Sequence, residues 1–273
     1  MRVSISILAI WAFSINATAQ HVQTGKEIYR ANRDAIVQVY AGNELGNGFI
    51  VSPDGIIVTA NHVVTTPESG FRKYANEIKV VVFHNGRGRP YAATPIEATV
   101  SDDQANFDTA RLKITASGLP HVTMGNWAEI DVGDPIIVIS SLPITGAILL
   151  QGIVSAKGPF HQFFGPKPTN TILFQCPIRN GFSGSPIFSS YGHVVGIEDT
   201  KVFGTSPALD NLRKRWAASR PHGSASIMGI DIGASFLELI NNLDQNLISG
   251  LGSGVDILYA KGAEKAQNAE KWR

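Results

Sequence analysis

Short segments rich in Val, Ile, Thr and aromatic residues recur along this chain, and Gly, Pro, Asn or Asp bounds each of them. Such segments are typical of β-strands, because branched and aromatic side chains fit a pleated, half-buried surface. Twelve short strands with few helical patterns between them predict an all-β fold of two six-stranded antiparallel β-barrels. The predicted strands span 35–40, 48–51, 56–60, 78–83, 96–100 and 109–114 in the first barrel, and 135–140, 148–155, 171–175, 186–188, 193–197 and 226–232 in the second.

Helical periodicity appears near the end of the chain. Ser235 with Glu238 three residues later forms a capping box, and a helical stripe of apolar residues follows it, which predicts a C-terminal helix packed on the core. We expect this organisation: 1–19 as a signal segment, 20–118 as the first barrel, 119–248 as the second barrel with the C-terminal helix, and 249–273 as a charged tail.

The first residues have the pattern of a secretory signal. Arg2 supplies a positive start, an apolar run extends from Val3 to Ile15, and Ala17-Thr18-Ala19 is a small-residue cleavage site. The run is about 13 residues long, whereas roughly 20 are needed to span a bilayer. We therefore expect a protein exported to the periplasm or the medium, with no stable membrane insertion.

Charge and cysteine content exclude several classes of function. The chain has 23 Lys and Arg against 22 Asp and Glu, so it lacks the basic excess of a nucleic-acid-binding protein. Its one cysteine, Cys176, excludes an intrachain disulfide framework and a Cys-rich zinc site, and the histidines show no metal-binding spacing. We expect no metal or cofactor. The basic segment 207–220 is interpreted as a solvated insertion, with contact to an anionic partner as the alternative.

Three segments each place one member of a nucleophilic triad in a suitable context. His62 follows an apolar strand, so an imidazole there is held rigidly at the edge of a cleft. Asp108 directly precedes a strand, where a carboxylate can accept the Nδ1 proton of the imidazole and fix its tautomer. Ser183 lies between Gly181 and Gly184 in a turn that exposes its hydroxyl.

The order of these three residues selects among protease and esterase folds. His, Asp and then Ser is the order of the chymotrypsin-type barrels, in which the Ser comes from the second barrel. An α/β-hydrolase esterase is disfavoured, because its nucleophile elbow requires Gly two residues after the nucleophile, where this chain has Ser185.

Several segments of the chain resemble the HtrA/Deg branch of the trypsin-like serine peptidases. The resemblance extends over about 35–243, and it is strongest in 46–55, 59–64, 108–114, 132–135 and 152–155. It implies that His62 is a general base, Asp108 its orienting carboxylate and Ser183 a nucleophile, with the amides of Gly181 and Ser183 as the oxyanion hole. It also implies a polypeptide substrate.

Two departures from that family matter for function. Phe182 stands where the family usually has Asn, and Ser185 replaces a Gly, so a catalytically impaired protein acting as a binding or scaffold module is the alternative function. After the last predicted strand about 40 residues remain, fewer than a PDZ domain needs, so we expect a peptidase domain without one.

Specificity residues are less clearly marked. Pro177, six residues before Ser183, stands where basic-specific trypsin-like enzymes carry an acid, which favours an uncharged, small or medium apolar P1 residue. Glu198 and Asp199 are candidates for the rim of the substrate pocket, with solvated turn charges as the alternative. The aromatic segment 159–168 fits either a gating loop or packing over the barrel. The sequence indicates no oligomeric state.

Overall fold

The computed structural model describes residues 21–68, 71–100, 107–143, 145–161, 168–201, 211, 214–215, 226–227, 230–231 and 249–257. Within them the chain forms two closed six-stranded antiparallel barrels, which confirms the predicted fold class. The predicted signal segment 1–19, the predicted C-terminal helix and most of the basic segment 207–220 lie outside the described residues.

The first barrel forms from strands between residues 36 and 114. Its core consists of buried aliphatic side chains such as Val39, Ile57 and Leu112. In chain order the elements are α1 (Gly25–Asn32), β1 (Ile36–Ala41), β2 (Glu44–Ile50), β3 (Ile56–Ala60), α2 (Asn61–Val64), β4 (Thr65–Glu68), β5 (Phe71–Tyr74), β6 (Ile78–His84), β7 (Arg87–Pro95) and β8 (Thr109–Ile114), with a 3-10 turn at Arg33–Ala35. The barrel closes in the order β1-β2-β3-β8-β7-β6, and β4 and β5 form a separate hairpin directly after α2.

The second barrel forms from strands between residues 135 and 256. Its core includes Phe174, Phe182 and Ile187, all buried. A 3-10 turn at Trp127–Glu129 leads into β9 (Pro135–Leu142), β10 (Gly146–His161), β11 (Pro168–Ile178), β12 (Pro186–Phe188), β13 (Val194–Lys201), β14 (Ser226–Ile227), β15 (Ile230–Asp231) and β16 (Ser249–Asp256). This barrel closes in the order β10-β11-β16-β13-β12-β9, and β14 and β15 form a separate two-stranded sheet outside it.

A continuous apolar cluster joins the two barrels. Ile36, Phe49 and Val58 of the first barrel belong to the same buried cluster as Ile139 and Phe188 of the second. Burying such side chains away from water is the main favourable term in protein association, so this cluster holds the barrels together. The two barrels are therefore packed directly against each other.

Two of the twelve predicted strands are wrong. The strand predicted at 96–100 lies instead at Arg87–Pro95, whose residues are mostly exposed and so show no apolar alternation. The strand predicted at 226–232 forms the separate β14–β15 ribbon, and the closing strand is Ser249–Asp256, which we predicted to lie in the charged tail.

The glycine content of β16 explains why the sequence did not indicate a strand there. A Cβ at Gly252 would lie 2.8 Å from the ring of Phe174, and a Cβ at Gly254 would collide with the Cδ1 of Ile187. Packing inside the barrel thus requires glycine at positions where strand propensity favours branched residues. The signal that identifies strands elsewhere in this chain is absent from β16.

We expect Gly254→Ala to destabilise the protein, because overpacking a filled barrel typically costs about 1–3 kcal/mol. Gly158→Ala in β10 is the matched control, because a Cβ there would lie 3.7 Å from the nearest ring atom of Phe160, an ordinary contact. Urea unfolding should give a lower free energy of unfolding for Gly254→Ala and a change within about 0.5 kcal/mol for Gly158→Ala. Equal stabilities for the two variants would contradict the packing of β16.

Candidate active site

His62 and Asp108 meet because the strands that precede and follow them pair. Strand β3 ends at Ala60, which pairs with Thr109 at the start of β8, so Asp108, directly before β8, lies beside the first residues of α2, of which His62 is the second. The backbone N–H of His62 donates to Asp108 Oδ1 at 2.8 Å, and His62 Nδ1 lies 2.5 Å from Asp108 Oδ2. Both carboxylate oxygens of Asp108 are therefore engaged by His62.

The backbone at Asp108 is also specifically held. Its φ is +50°, in the left-handed region that Asp tolerates better than most residues, and its carbonyl accepts a hydrogen bond from the N–H of Asn61 at 3.0 Å. The side chain is buried, whereas 27% of the His62 side chain is exposed. The imidazole is thus oriented by a buried carboxylate and remains partly exposed.

Opposing influences determine the pKa of His62. The largest is burial, which lowers the pKa; the charge of Asp108 and its hydrogen bond act in the opposite direction, with smaller effects from Arg72, which lowers the pKa, and Glu44, which raises it. The net result is a pKa above the ordinary value of 6.5. An imidazole with a raised pKa is a stronger base once it is deprotonated.

The loop that carries Ser183 lies between β11 and β12 and depends on two glycines. Gly181 has φ +90° and Gly184 has φ +87°, both in the left-handed region. A Cβ at Gly181 would meet no atom within 4 Å, whereas one at Gly184 would collide with the carbonyl of Asn47. Gly184 is thus required by close packing between the barrels, and the space beside Gly181 is open.

Phe182 and Ser185 fill the inner side of this loop. The Phe182 ring is buried in the core of the second barrel, with the Arg179 guanidinium 5.3 Å from its centroid. Ser185 is fully buried, and its Oγ donates to the carbonyl of Phe182 at 2.5 Å. Phe182 and Ser185 are the two residues that depart from the HtrA/Deg pattern, and neither side chain is directed into the open space beside Gly181.

Amide hydrogen bonds alternate along the loop. The N–H groups of Phe182, Gly184 and Ser185 donate to the carbonyls of Arg179, Glu198 and Phe182 respectively. Within the described part of the chain, the amides of Gly181 and Ser183 donate to no protein acceptor. These two predicted oxyanion-hole donors are therefore available to a ligand.

Asn47 links this loop to both barrels, a role that the sequence did not indicate. Its Nδ2 donates to the carbonyl of Gly181 at 2.6 Å, and its Oδ1 accepts from the N–H of Ser141 at 2.6 Å. Its backbone N–H donates to the carbonyl of Ser183 at 2.8 Å, and its carbonyl accepts from Thr59 Oγ1. A buried side-chain amide with this many partners indicates a positioning role, but only the tertiary structure reveals the partners.

The hydroxyl of Ser183 donates to the backbone carbonyl of Asp199 at 3.2 Å. This contact places Ser183, the predicted nucleophile, beside Asp199 of β13. The carboxylate of Asp199 lies near the His62–Asp108 pair: one imidazole nitrogen of His62 and one carboxylate oxygen from each of Asp108 and Asp199 all lie within 4.8 Å of one another. Ser183 thus lies beside a residue whose carboxylate belongs to the same side-chain cluster as His62 and Asp108.

The other predicted site residues are placed differently. Pro177 is exposed near the end of β11, and it stays a predicted substrate contact. Glu198 is 1% exposed and Asp199 is 2% exposed, so the alternative interpretation of these acids as solvated turn charges is wrong. Strand β13 continues through both residues and carries their side chains inside the protein.

Burial makes these two acids difficult to ionise. Burial, followed by the charge of Asp108, raises the pKa of Glu198 to about 8. The same two causes, with a hydrogen bond to Asp108 and the charge of Glu198, raise the pKa of Asp199 well above its ordinary value of 3.8. Burial, with a contribution from the Glu198 charge, also raises the pKa of Cys176 to about 12, so its thiol is protonated and unreactive.

The spacing of His62, Asp108 and Asp199 also raises the question of a metal ion. Two ligands of a tetrahedral zinc ion, each about 2 Å from the metal, are separated by roughly 3 Å. His62 Nδ1 and Asp108 Oδ2 are 2.5 Å apart, which is a hydrogen-bond distance. The arrangement fits a hydrogen-bonded cluster better than an ion-binding one.

Comparison with known proteins assigns the chain to a family. Residues 46–197 match the family described as "Trypsin-like peptidase domain". Since this match covers more than half of the chain, the chain belongs to that family.

Curated relatives include bacterial and human serine proteases. A "Probable periplasmic serine endoprotease DegP-like" from Chlamydia pneumoniae is 34% identical over 160 residues, which are 59% of this chain and 29% of that protein. "Serine protease HTRA4" from Homo sapiens is 27% identical over 226 residues, 81% of this chain and 43% of that protein. The chain thus spans about three tenths of the length of the bacterial relative.

Solved structures share the fold. "HtrA-type protease AlgW with tripeptide" matches with a TM-score of 0.56 and 20% identity, over 91% of this chain and 62% of that one. The serine endoprotease from Yersinia pestis matches with a TM-score of 0.56 and 21% identity, over 89% of this chain and 66% of that one.

In the described part of the chain, no helix has the length and apolarity needed to cross a membrane.

We expect the stability of the protein to fall as the pH rises from about 4.5 to about 8, because over that range the unfolded chain releases the Glu198 proton that the folded protein keeps. Glu198→Gln removes this loss, so the free energy of unfolding of the variant should exceed that of the wild type by an amount that grows with pH and reaches the order of a few kcal/mol at pH 8.

Urea unfolding at several pH values measures this difference. Glu77→Gln, at an exposed acid, is the control and should follow the wild-type curve. A constant difference between Glu198→Gln and the wild type at all pH values would contradict a raised pKa for Glu198.

Proposed function

We propose that this protein is an exported serine endopeptidase in which His62 is the general base, Asp108 orients it and Ser183 is the nucleophile. The observation that carries the proposal is the 2.5 Å contact between His62 Nδ1 and Asp108 Oδ2, which fixes the orientation of the imidazole relative to a buried carboxylate. The family membership and the names of the relatives support the reaction class.

The first step transfers the Ser183 proton to His62 as Ser183 Oγ bonds to the scissile carbonyl carbon. For this, the hydroxyl rotates from the Asp199 carbonyl toward the imidazole, a change that apo structures of such sites often require. The imidazolium then protonates the leaving amine, the C–N bond breaks and an acyl-enzyme remains. Water, deprotonated by His62, attacks the ester; the carboxyl product leaves and Ser183 regains its proton.

The unpaired amides of Gly181 and Ser183 suit the negative oxygen of the tetrahedral intermediates. Preorganised donors of this kind cost no reorganisation during the reaction, and losing one typically lowers kcat by roughly 10²–10³-fold. The burial of the Phe182 ring supports an intact oxyanion hole, since the bulky side chain packs into the core instead of the open space beside Gly181.

An uncharged P1 residue fits the acids near the site. Pro177 carries no charge, and Glu198, with a pKa of about 8, is mainly protonated at neutral pH. Neither therefore offers the anion that a Lys or Arg side chain at P1 needs. Export to the periplasm or the medium is supported by the expected signal segment and by the periplasmic location in the names of the bacterial relatives.

Ser183→Ala should abolish hydrolysis of an unfolded protein such as casein and labelling by a fluorophosphonate probe, since loss of a triad nucleophile costs about 10⁶ in kcat. Ser190→Ala, at a serine outside the site, is the control and should keep both activities. Mass spectrometry of the labelled peptide should identify Ser183. A wild-type protein that folds but neither labels nor hydrolyses would favour the binding-module function instead.

The pH profile of kcat/KM should fall on the acidic side at a pH above 6.5, because the base must be neutral and its pKa is raised. Arg72→Gln should move this acidic limb to still higher pH, since the positive charge of Arg72 lowers the pKa of His62. Arg111→Gln, whose guanidinium pairs with Glu97, is the control and should leave the limb in place. An unchanged limb in Arg72→Gln would show that the charge of Arg72 does not reach the base.

A further inference from the structure

Asp199 touches both halves of the proposed triad. Its carboxyl group lies with the Asp108 carboxylate and the His62 imidazole in a cluster whose nearest polar atoms are all within 4.8 Å. Its backbone carbonyl accepts the hydrogen bond of the Ser183 hydroxyl. Asp108 and Asp199 are each 2% exposed, so water does not separate these two acids from each other's charge.

Two adjacent buried carboxylates are unfavourable unless a proton or a cation lies between them. The charged and titratable groups around Asp199 come from several elements: Asp108 before β8, His62 on α2, and Glu198 on its own strand. Arg72 on β5 and Glu44 on β2 act on His62, and Cys176 on β11 faces Glu198. Arg72 is bound to Thr65 and to the His62 carbonyl, so it does not neutralise the acids directly.

We propose that Asp199 is a positioning residue that keeps its proton at neutral pH and donates it to Asp108, the carboxylate that also accepts from His62. The inference rests on the proposed peptidase function and extends the triad to a chain of Asp199, Asp108 and His62. No covalent step is involved: the proton stays on Asp199, and the carboxylate charge stays on Asp108.

The hydrogen bonds of Asp199 support a neutral acid. Its Oδ1 has no partner within the described residues. Burying a carboxylate oxygen without a hydrogen-bond donor costs the desolvation free energy of a charged group. Burying the carbonyl oxygen of a neutral acid without a donor costs much less. Burial, the charge of Asp108 and the hydrogen bond to it raise the pKa of Asp199 in agreement with this arrangement.

The extra donor has a consequence for catalysis. Asp108 accepts bonds from the His62 amide and from Nδ1, and the bond from Asp199 holds its carboxylate from a third direction. When Asp199 ionises at alkaline pH, this donor is lost and two negative charges repel each other beside the base. Both changes disturb the carboxylate that orients the imidazole, so kcat/KM should fall on the alkaline side as well.

Asp199→Ala and Asp199→Asn separate this role from simple packing. Asp199→Ala removes the donor, and we expect kcat/KM at pH 7 to fall about 10- to 100-fold, mainly in kcat, as for loss of a hydrogen bond to a charged group. Asp199→Asn keeps a donor of the same size that cannot ionise. It should rescue most of the lost activity and abolish the alkaline limb. Circular dichroism across the pH range excludes unfolding as the cause of the limb.

Infrared spectroscopy of the folded protein tests the proton directly and requires no activity. The wild type at pH 7 should show the C=O stretch of a protonated buried carboxyl, and Glu198→Gln, which removes the neighbouring acid, should retain the part that belongs to Asp199. Asp199→Asn should lose that part. If either Asp199 variant fails to fold, the pH titration of the carboxyl carbons in Glu198→Gln by ¹³C NMR decides whether a second raised pKa is present.

The outcomes distinguish this inference from the proposed function. A spectrum that Asp199→Asn leaves unchanged, no second raised pKa, or equal loss of activity in Asp199→Ala and Asp199→Asn would overturn the inference while leaving a peptidase. A protonated Asp199 in a wild type that never hydrolyses or labels would overturn the peptidase, and with it the catalytic role of Asp199, but not its hydrogen bond to Asp108.

Discussion

The buried side chain of Asn47 holds the candidate site together, because His62 and Ser183, the proposed base and nucleophile, lie on different barrels. One amide group bonds the carbonyl of Gly181 in the nucleophile loop and the N–H of Ser141 in the second barrel, while the backbone of the same residue belongs to the first. The apolar cluster around Phe49 and Phe188 brings the barrels together without directional preference. The directional bonds of Asn47 fix the position of the loop that carries Ser183 relative to the first barrel, which carries His62.

Much of this arrangement could be predicted from the sequence, since local patterns and residue types report it. The strands at Ile56–Ala60 and Thr109–Ile114 begin and end where the alternation predicts, and their flanking His and Asp suggested a catalytic pair. That these two strands pair with each other, and so bring His62 to Asp108, is a property of the closed barrel that no local pattern contains.

The parts that could not be predicted depend on contacts between distant segments. Strand β16 was missed because the packing of Phe174 and Ile187 requires glycine where strand patterns favour larger residues. Glu198 and Asp199 follow an apolar strand and therefore have the sequence pattern of turn charges, yet β13 continues and buries them. Phe182 looked like an obstacle to the oxyanion turn, but the direction of its ring depends on the core beneath it.

The position of β16 in the chain also affects how the protein folds. Strands between residues 36 and 114 close the first barrel, whereas the second closes only when β16 pairs with β11 and β13, after an interval that runs from residue 202 to residue 248. Long-range pairing of this kind slows folding far more than it weakens the final structure. In a chain that emerges with its N-terminal end first, the strands that close the barrel of His62 and Asp108 are therefore all present before the strand that closes the barrel of Ser183. A chain that lacks β16 has the proposed base and its carboxylate but an open second barrel around the proposed nucleophile, so the proposed function requires the last strand as well as the three site residues.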